Sequence, residues 1–232
     1  MTDDSTGKQP PHPGTMDKDQ VWQAIDTQRR SVADLLEQLP PDEWNRPSLC
    51  AGWTVQDVAA HLTLQQVGLG SAIAMMMKAR GNTDRAIHDA ACRRAAVLPP
   101  GQMIAEIRDM IGSRRHNTGL TCRETLIDIL VHGQDIAVPL GRHHPVPPRV
   151  AAAAATRVWT TRWPPPFPAT RKMTGFRLTA TDTPWSTGNG PEVRAPIATI
   201  LLLSTGRLAA LPQISGPGAA DLTTRLSTPQ PA

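Results

Sequence analysis

The 232-residue sequence has few of the residues that several protein classes require. It contains no tyrosine, two phenylalanines and six tryptophans, so few aromatic rings are available to stack on exposed bases. The formal net charge is only +4, and the basic residues are scattered or occur as short pairs such as Arg29–Arg30 and Arg114–Arg115. This composition argues against a nucleic-acid-binding protein.

Cysteines and long apolar runs are also scarce. Cys50, Cys92 and Cys122 are far apart, odd in number and without a CxxC pair, which predicts a reduced protein rather than a disulfide framework or a zinc knuckle. No apolar run approaches the ~20 residues that span a bilayer, and the polar, proline-rich N-terminus does not resemble a signal peptide. We therefore expect a cytoplasmic protein with no membrane partner.

Hydrophobic periodicity predicts an antiparallel four-helix bundle over residues 17–144. Residues 1–16 are expected to be a disordered lead, in which Met16 rather than Met1 could be the true start. The four predicted helices run over residues 17–39, from Thr54 to near Gly81, over 100–118, and from Thr121 to a stop at Pro139 and Gly141. A polar crossing separates the second helix from the third, and the consecutive methionines Met75 to Met77 are interpreted as core filler rather than as metal ligands.

The character of the sequence changes at residue 145, and residues 145–232 are predicted to form a smaller α+β domain. An alanine-rich helix over 149–163 is followed by an alternating strand over 176–181, a glycine turn and a returning strand over 192–194. An apolar helix over 196–211 and a short last helix complete the chain. The predicted fold class is thus α with a smaller α+β domain.

One helix carries a polar stripe that needs an explanation. Thr121 and Glu124 form a capping box, and Glu124, Asp128, His132 and Asp135 recur at spacings of three and four residues. Most of the remaining circumference is apolar, so the helix should be largely buried. Asp128 and His132 are one turn apart and could share a metal ion, although an ordinary solvated face would show the same pattern.

His61 lies on the second predicted helix and could face this stripe. Three nitrogen or oxygen ligands with one open position are typical of a catalytic zinc site, and His61, Asp128 and His132 would supply them from facing helices. Asp135 or Glu124 could then orient a ligand imidazole through a hydrogen bond. We expect no catalytic residue beyond the metal site itself.

Two motifs resemble those of a known family. The run WNRPSLCAGWTVQDVAAHL looks like the first metal motif of the mycothiol-dependent maleylpyruvate isomerase family, in the DinB-like metalloprotein superfamily, and LIDILVHGQDIAVPLGR is similar to its second motif. TATDTPWSTGNGPEVRAP and LLLSTGRLAAL resemble the α+β domain that follows the bundle there. The resemblance implies a DinB-like bundle that binds a divalent metal, usually zinc, through His61, Asp128 and His132, with the thiol mycothiol as cosubstrate. The family carries Glu where this chain has Asp128.

The function that follows is thiol activation by a metal. We expect a metal- and mycothiol-dependent thiol transferase or isomerase acting on a small electrophilic metabolite or xenobiotic. Arg207 and Arg194 are candidates for clamping an acidic substrate or the thiol, although arginines of this kind more often lie on the surface without such a role. The alternatives are a non-catalytic DinB-like metal-binding or stress-response module and a hydrolase using zinc-bound water. As in other DinB-like bundles, a homodimer is possible.

The remaining candidates are assigned structural roles or left open. Cys50 could be a reactive thiol near the site, but a cysteine in a turn is more often a small apolar residue. Trp53 is expected to staple the helix entry rather than to stack on a ligand. Four further histidines lie in or near predicted loops without partners at ligand spacing, namely His88, His116, His143 and His144. We expect His143 and His144 to face solvent.

Overall fold

The computed structural model describes residues 16–66, 68, 70 and 83–228. It is mainly helical with a small sheet near the C-terminus, which confirms the predicted fold class. The α-helices are α1 (Lys18–Glu37), α2 (Val55–Leu62), α3 (Thr83–Ala95), α4 (Pro100–Asp109), α5 (Cys122–Ala137), α6 (Pro148–Thr160), α7 (Pro168–Met173), α8 (Ile197–Ser204) and α9 (Ala219–Ser227). The strands are β1 (Arg177–Ala180), β2 (Ser186–Thr187) and β3 (Glu192–Ala195), and short 3-10 helices span Glu43–Asn45 and Leu208–Gln213. None of the described helices is long and apolar enough to cross a membrane.

Helices α1, α2, α4 and α5 form the predicted four-helix bundle. Each packs on two others, α1 on α4 and α5, and α2 on the same pair, so the four close a ring. Helix α3, which packs on α2, replaces the expected polar crossing. Its buried face is built from alanines such as Ala86, Ala90 and Ala91, which give a weak periodic signal in the sequence. The predicted methionine core at Met75 to Met77 lies outside the described residues.

Capping boxes fix where three of the bundle helices begin. In each, the N-cap side chain accepts a hydrogen bond from the backbone of a residue in the first turn, and the third helical residue reaches back to the N-cap. The pairs are Asp17–Gln20, Thr54–Asp57 and Thr121–Glu124. The last two confirm the starts predicted for the second and fourth helices. Because a helix has a fixed rise and turn per residue, these starts also set which way His61 and Asp128 point.

Two of the predicted helices end early in the structure. Helix α2 stops at Leu62, and the rest of its predicted length to Gly81 falls mostly outside the described residues. Helix α4 stops at Asp109 rather than near residue 118. There the Met110 carbonyl accepts a hydrogen bond from Nη1 of Arg29 at 2.7 Å, and Gly112 adopts a φ of 85° that a helix cannot continue.

Helices α1 and α5 are shared between two hydrophobic clusters. One cluster joins the start of α1 and one face of α5 to α6, the sheet and α8, and the other joins the end of α1 and the opposite face of α5 to α2 and α4. Ile25, Leu126 and Leu130 belong to the first cluster, and Leu36, Ile129 and Ile136 to the second. The C-terminal elements therefore pack on the same two helices that form the bundle. The division of domains at residue 145 stays a prediction.

The strand predicted to return along β1 instead runs parallel to it. The sheet order is β2-β1-β3, with β2 antiparallel and β3 parallel to the central β1. The turn between β2 and β3 passes the residues just before β1 so closely that a Cβ on Gly188 would lie 2.2 Å from the Phe176 carbonyl oxygen and one on Gly190 2.1 Å from that of Gly175. Both glycines also have positive φ. Only glycine can meet both demands, so this turn moves the chain to the far side of β1.

His144 is buried, contrary to the prediction that it faces solvent. Its side chain packs against Gly133 of α5, and its Nδ1 lies 3.2 Å from the hydroxyl of Ser31. Its backbone carbonyl accepts a hydrogen bond of 2.6 Å from the Gln134 amide. The His144 imidazole thus fills the space beside Gly133, where any other residue would have a side chain. Gly133 is the residue directly after His132 in α5.

Gly133→Ala should therefore destabilise the protein. A Cβ at this position would lie 2.5 Å from Nε2 of His144, so we expect a loss of about 1–3 kcal/mol in the free energy of unfolding measured with urea. Gly101→Ala in α4 is the matched control, because a Cβ there meets nothing within 4 Å. In a His144→Ala background the clash disappears, and Gly133→Ala should then cost much less. Equal costs in both backgrounds would contradict the contact.

Burial also makes His144 a source of acid sensitivity. Burial, with a smaller contribution from the charge of His143, lowers the pKa of His144 to about 4, whereas an unfolded histidine titrates near 6.5. Arg30 and Asp34 lie in the same cavity wall. Between these two values the unfolded chain binds the extra proton, so stability is present above about pH 6.5 and falls as the pH drops toward about 4.

The expected loss is up to about 3 kcal/mol, read as the difference between urea-unfolding profiles of wild type and His144→Gln at a series of pH values. Carboxylates contribute to both profiles and cancel in that difference. Parallel profiles from pH 7 to pH 4 would show that His144 is not buried as a neutral group.

Candidate metal centre

His61, Asp128 and His132 meet at one point between α2 and α5. The Nε2 atom of His61 lies 3.1 Å and that of His132 lies 3.4 Å from the same Asp128 oxygen, Oδ1. One ligand atom from each residue falls within 4.8 Å of the others. His61 is on the last turn of α2, and Asp128 and His132 are one turn apart on α5, so the spacing that the sequence shows becomes a convergence of three donors.

Asp135 holds His132 from the opposite side. The Nδ1 of His132 lies 2.8 Å from Asp135 Oδ2, so it can donate its proton there and leave the Nε2 lone pair directed at the convergence point. Arg207 donates two hydrogen bonds to the same carboxylate, one of 3.0 Å from Nε and one of 2.7 Å from Nη2. Asp135 is fully buried, and the thiol of Cys50 donates to it at 3.0 Å.

Gln65 and Arg29 hold Asp128 in a similar way, and no sequence pattern pointed to either residue. The Gln65 amide donates a 2.7 Å hydrogen bond to Asp128 Oδ2, the oxygen that the histidines do not share. Arg29 donates to the amide oxygen of Gln65 from Nε and Nη2, both at 3.3 Å. The Arg29 side chain is fully buried inside the bundle, and burial lowers its pKa. This chain of contacts leaves Oδ1 as the Asp128 oxygen that faces both histidines.

The electrostatics of the cluster favour a charged Asp128 and a charged His132 while no ion is bound. Burial would raise the pKa of Asp128, but the charges of His61 and His132 and hydrogen bonds with both hold it well below its usual range. Burial would lower the pKa of His132, but the charge of Asp128 and hydrogen bonds with Asp128, Asp135 and Cys50 hold that pKa well above its usual value. An arriving cation would have to displace the His132 proton, as metal binding to histidine sites generally does.

The donor set fits a divalent ion of the zinc type. Two imidazoles and one carboxylate are ligands that zinc accepts, and one position stays open in such a set. A second group, Cys50, His132 and Asp135, also lies within metal-binding distance. It fits less well, because Asp135 already forms a two-point ion pair with Arg207 and because His132 would have to present Nδ1 instead of Nε2. We therefore take His61, Asp128 and His132 as the candidate ligands.

Aromatic rings cover one side of the triad. The Trp53 ring stacks parallel to that of His132 with centroids 6.4 Å apart and meets His61 edge-on at 5.4 Å. The ring of His88, which was predicted to lie in or near a loop, belongs to helix α3, and its centroid lies 5.8 Å from that of Trp53 beside the site. Trp53, which was expected only to staple the start of α2, therefore also covers the histidine rings from one side.

Two of the predicted site residues lie elsewhere. Glu124 does not hold an imidazole; its carboxylate completes the Thr121 cap and pairs with Arg157 at 2.5 Å. The requirement for a cap at the helix start decides this, because it draws the carboxylate to the end of α5. Arg194 is an exposed residue of β3 that pairs with Glu192 at 2.8 Å. Arg207, by contrast, is at the site, although its guanidinium is already bound to Asp135.

Two cavities meet at the triad, and Asp128, His132 and Arg207 line both. The inner cavity, with a volume of about 210 Å³, lies between α5 and the C-terminal part of the chain. The outer cavity, of about 740 Å³, opens on the other side of the triad and is lined by Cys50, Trp53, His61 and His88 among others. The convergence point is thus accessible from two separate spaces.

The fold and the motifs define the class of protein. The ring of four helices with a small α+β part is a DinB-like architecture, and it carries possible metal-binding residues at its centre. Residues 25–137 match the family model described as the mycothiol maleylpyruvate isomerase N-terminal domain. Residues 25–137 therefore match the N-terminal domain of the mycothiol-dependent maleylpyruvate isomerase family, the family that the motifs predict.

Solved structures of the same kind share the fold along most of the chain. A crystal structure of a histidine-to-alanine mutant of the mycothiol-dependent maleylpyruvate isomerase is 14% identical, with 94% of this chain and 97% of that chain covered and a TM-score of 0.58. Another crystal structure of the mycothiol-dependent maleylpyruvate isomerase is 16% identical, with 83% and 90% covered and a TM-score of 0.54. No curated protein sequence matches this chain significantly.

Gln65→Leu should weaken metal binding without removing a ligand. The variant loses the hydrogen bond that fixes Asp128, and we expect the dissociation constant for zinc, measured by competition with a chromophoric chelator, to rise about 10–100-fold. Gln66→Leu removes the neighbouring amide, which bonds to Ser113 away from the triad, and should leave that constant nearly unchanged. An unchanged affinity in Gln65→Leu would mean that Asp128 needs no such support.

Proposed function

We propose that this chain is a divalent-metal-dependent, mycothiol-dependent enzyme, a thiol transferase or isomerase acting on a small electrophile. The observation that carries the proposal is the convergence of His61, Asp128 and His132 on one point that two cavities reach. The family of the N-terminal domain supports the choice of mycothiol as the thiol. Because mycothiol is an intracellular thiol, the proposal includes a cytoplasmic location.

His61, Asp128 and His132 would hold the ion, which we propose to be zinc. Such an ion, when bound, deprotonates a coordinated thiol at neutral pH and so supplies a strong nucleophile. The shorter side chain of Asp128, compared with the Glu of the family, would place the ion nearer to α5. The 2.7 Å hydrogen bond from Gln65 supports that geometry, because it holds the carboxylate with Oδ1 toward both histidines.

The protein's own groups would orient the ligands and limit access to them. Asp135 fixes the ring of His132, and Arg207 fixes Asp135 through its two-point contact. Trp53 shields the histidine rings from the outer side. With about 740 Å³, the outer cavity has room for the bulky thiol, and the inner cavity is left for the electrophile.

The same nucleophile supports both reaction types. A thiolate that adds to a conjugated double bond turns it into a single bond, about which the molecule can rotate. Expulsion of the thiolate then gives the isomer, whereas protonation of the adduct with the thiol retained gives a conjugate. Which of the two occurs depends on the electrophile, so the proposal covers transferase and isomerase activity.

The test combines metal content with thiol dependence. We expect the purified wild type to carry a zinc-like ion by mass spectrometry and to consume an electrophile only when mycothiol is present. Asp128→Ala and His132→Ala should lose the ion and reduce thiol-dependent turnover by at least about 100-fold. Asp128→Glu, which restores the family residue, should keep both. Asp34→Ala, which removes a carboxylate of α1 that pairs with Arg108, is the surface control.

Three other results would point elsewhere. A wild type that stays empty after incubation with zinc, nickel or manganese would rule out the metal enzyme. Metal-dependent turnover of esters or amides without any thiol would favour a hydrolase with metal-bound water. Bound metal without turnover of any electrophile would favour a binding module.

A further inference from the structure

The inner cavity is too small for a large ligand. At about 210 Å³ it lies below the ~300–1,000 Å³ of pockets that hold drug-sized molecules, whereas the outer cavity falls within that range. It reaches the triad through Asp128 and His132. A molecule bound there would lie against the candidate metal centre and be smaller than a drug-sized ligand.

The charged groups in its wall already have partners. Glu124 is paired with Arg157, and Arg207 is paired with Asp135 and donates a further hydrogen bond to a backbone carbonyl. His132 lies between Asp128 and Asp135. Among the described lining residues, no side-chain cation is left to neutralise an incoming carboxylate, and the +2 charge of an ion held at the triad would be balanced by Asp128 and the bound thiolate. Burying an unpaired carboxylate is costly.

The hydroxyl groups of the wall offer lone pairs rather than protons. Thr125, Thr161 and Thr205 each donate their hydroxyl proton to a backbone carbonyl oxygen, at 3.5, 2.8 and 3.0 Å. A carboxylate accepts hydrogen bonds and cannot donate them, so these oxygens would repel it. Much of the remaining wall is apolar, with Leu120, Ile127, Val131 and Phe167 facing the space.

From this lining we propose that the electrophile is a small, uncharged and largely apolar molecule bound in the inner cavity, and not a dicarboxylate. The inference rests on the proposed function and deepens it by naming the substrate class. An ester or ketone conjugated to a double bond meets these requirements, because it exposes apolar surface and carries no formal charge. The arginine clamp that an acidic substrate would need is engaged by Asp135 instead.

The test is a charge series on one carbon skeleton: dimethyl maleate, monomethyl maleate and maleate. With mycothiol and the zinc-loaded full chain, each can be isomerised to the fumarate form or conjugated. The thiolate forms a C–S bond to one olefinic carbon, and the electron pair of the double bond moves to the other. Breaking the C–S bond after rotation returns the thiolate, and protonation by the thiol's proton gives the adduct, so no oxidant or reductant is needed.

Each rate is divided by the uncatalysed rate of the same compound with the same thiol at the same pH, which removes intrinsic reactivity. We expect this enhancement to be at least about tenfold larger for the neutral diester than for the dianion, with the monoanion in between. An equal or larger enhancement for maleate overturns the inference and leaves the proposed function intact. If no compound in the series is accelerated, the proposed function fails and the inference fails with it.

A pair of variants at Leu120 tests the charge argument directly. Leu120 is half-buried in the cavity wall, and Leu120→Lys would bring an unpaired cation to it. This variant should improve the enhancement of monomethyl maleate relative to the diester about fivefold or more. Leu120→Met, of similar size without charge, should keep the wild-type ratio. The inference is overturned if both variants shift the ratio alike, or if neither shifts it.

Discussion

The buried ion pair between Asp135 and Arg207 is the contact on which the site depends. It joins α5 of the bundle to the segment after α8, and the thiol of Cys50 from the loop before α2 reaches the same carboxylate. Burial would raise the pKa of Asp135, but hydrogen bonds from His132 and Arg207 hold it far below its usual range. A buried pair of this kind is tolerated only when its geometry and hydrogen bonds are nearly complete, as they are here. Three distant parts of the chain are thereby set around His132.

The triad is thus supported from two sides by different chemistry. Behind Asp128, the neutral amide of Gln65 and the buried guanidinium of Arg29 select one carboxylate oxygen. Behind His132, Asp135 selects one ring nitrogen. Nδ1 of His61 has no hydrogen-bond partner within the described ranges, so the α2 backbone and the neighbouring Trp53 ring position this imidazole. The two candidate ligands on α5 are held by side chains, and the candidate ligand on α2 is held mainly by packing.

Local sequence patterns predicted the parts of this site that local structure creates. The capping boxes at Thr54 and Thr121 predicted where the two helices begin, and the structure confirms these starts. Together with the four-residue spacing of Asp128 and His132, they were sufficient to predict that His61 faces α5. Gln65, Arg29 and the pairing of Arg207 depend on contacts between residues 36 to 81 positions apart in sequence, which no periodicity records.

Tertiary contacts also explain some of the predictions that the structure contradicts. Glu124 shares the polar stripe of its helix but is used by the cap and by Arg157, and α3 was missed because alanine gives little hydrophobic signal. The direction of β3 depends on the close approach of Gly188 and Gly190 to the backbone just before β1. For Glu124 and for β3, a tertiary contact and not the local pattern decides the outcome.

The sharing of α1 and α5 between the two hydrophobic clusters has a thermodynamic consequence. Neither cluster can lose its packing without exposing a face of the same two helices, so the bundle and the C-terminal elements should unfold in one transition rather than two. A ligand that binds at the triad would then raise the melting temperature of the whole chain, including a sheet that it never touches. The stability of the whole chain would therefore depend on whether the triad is occupied.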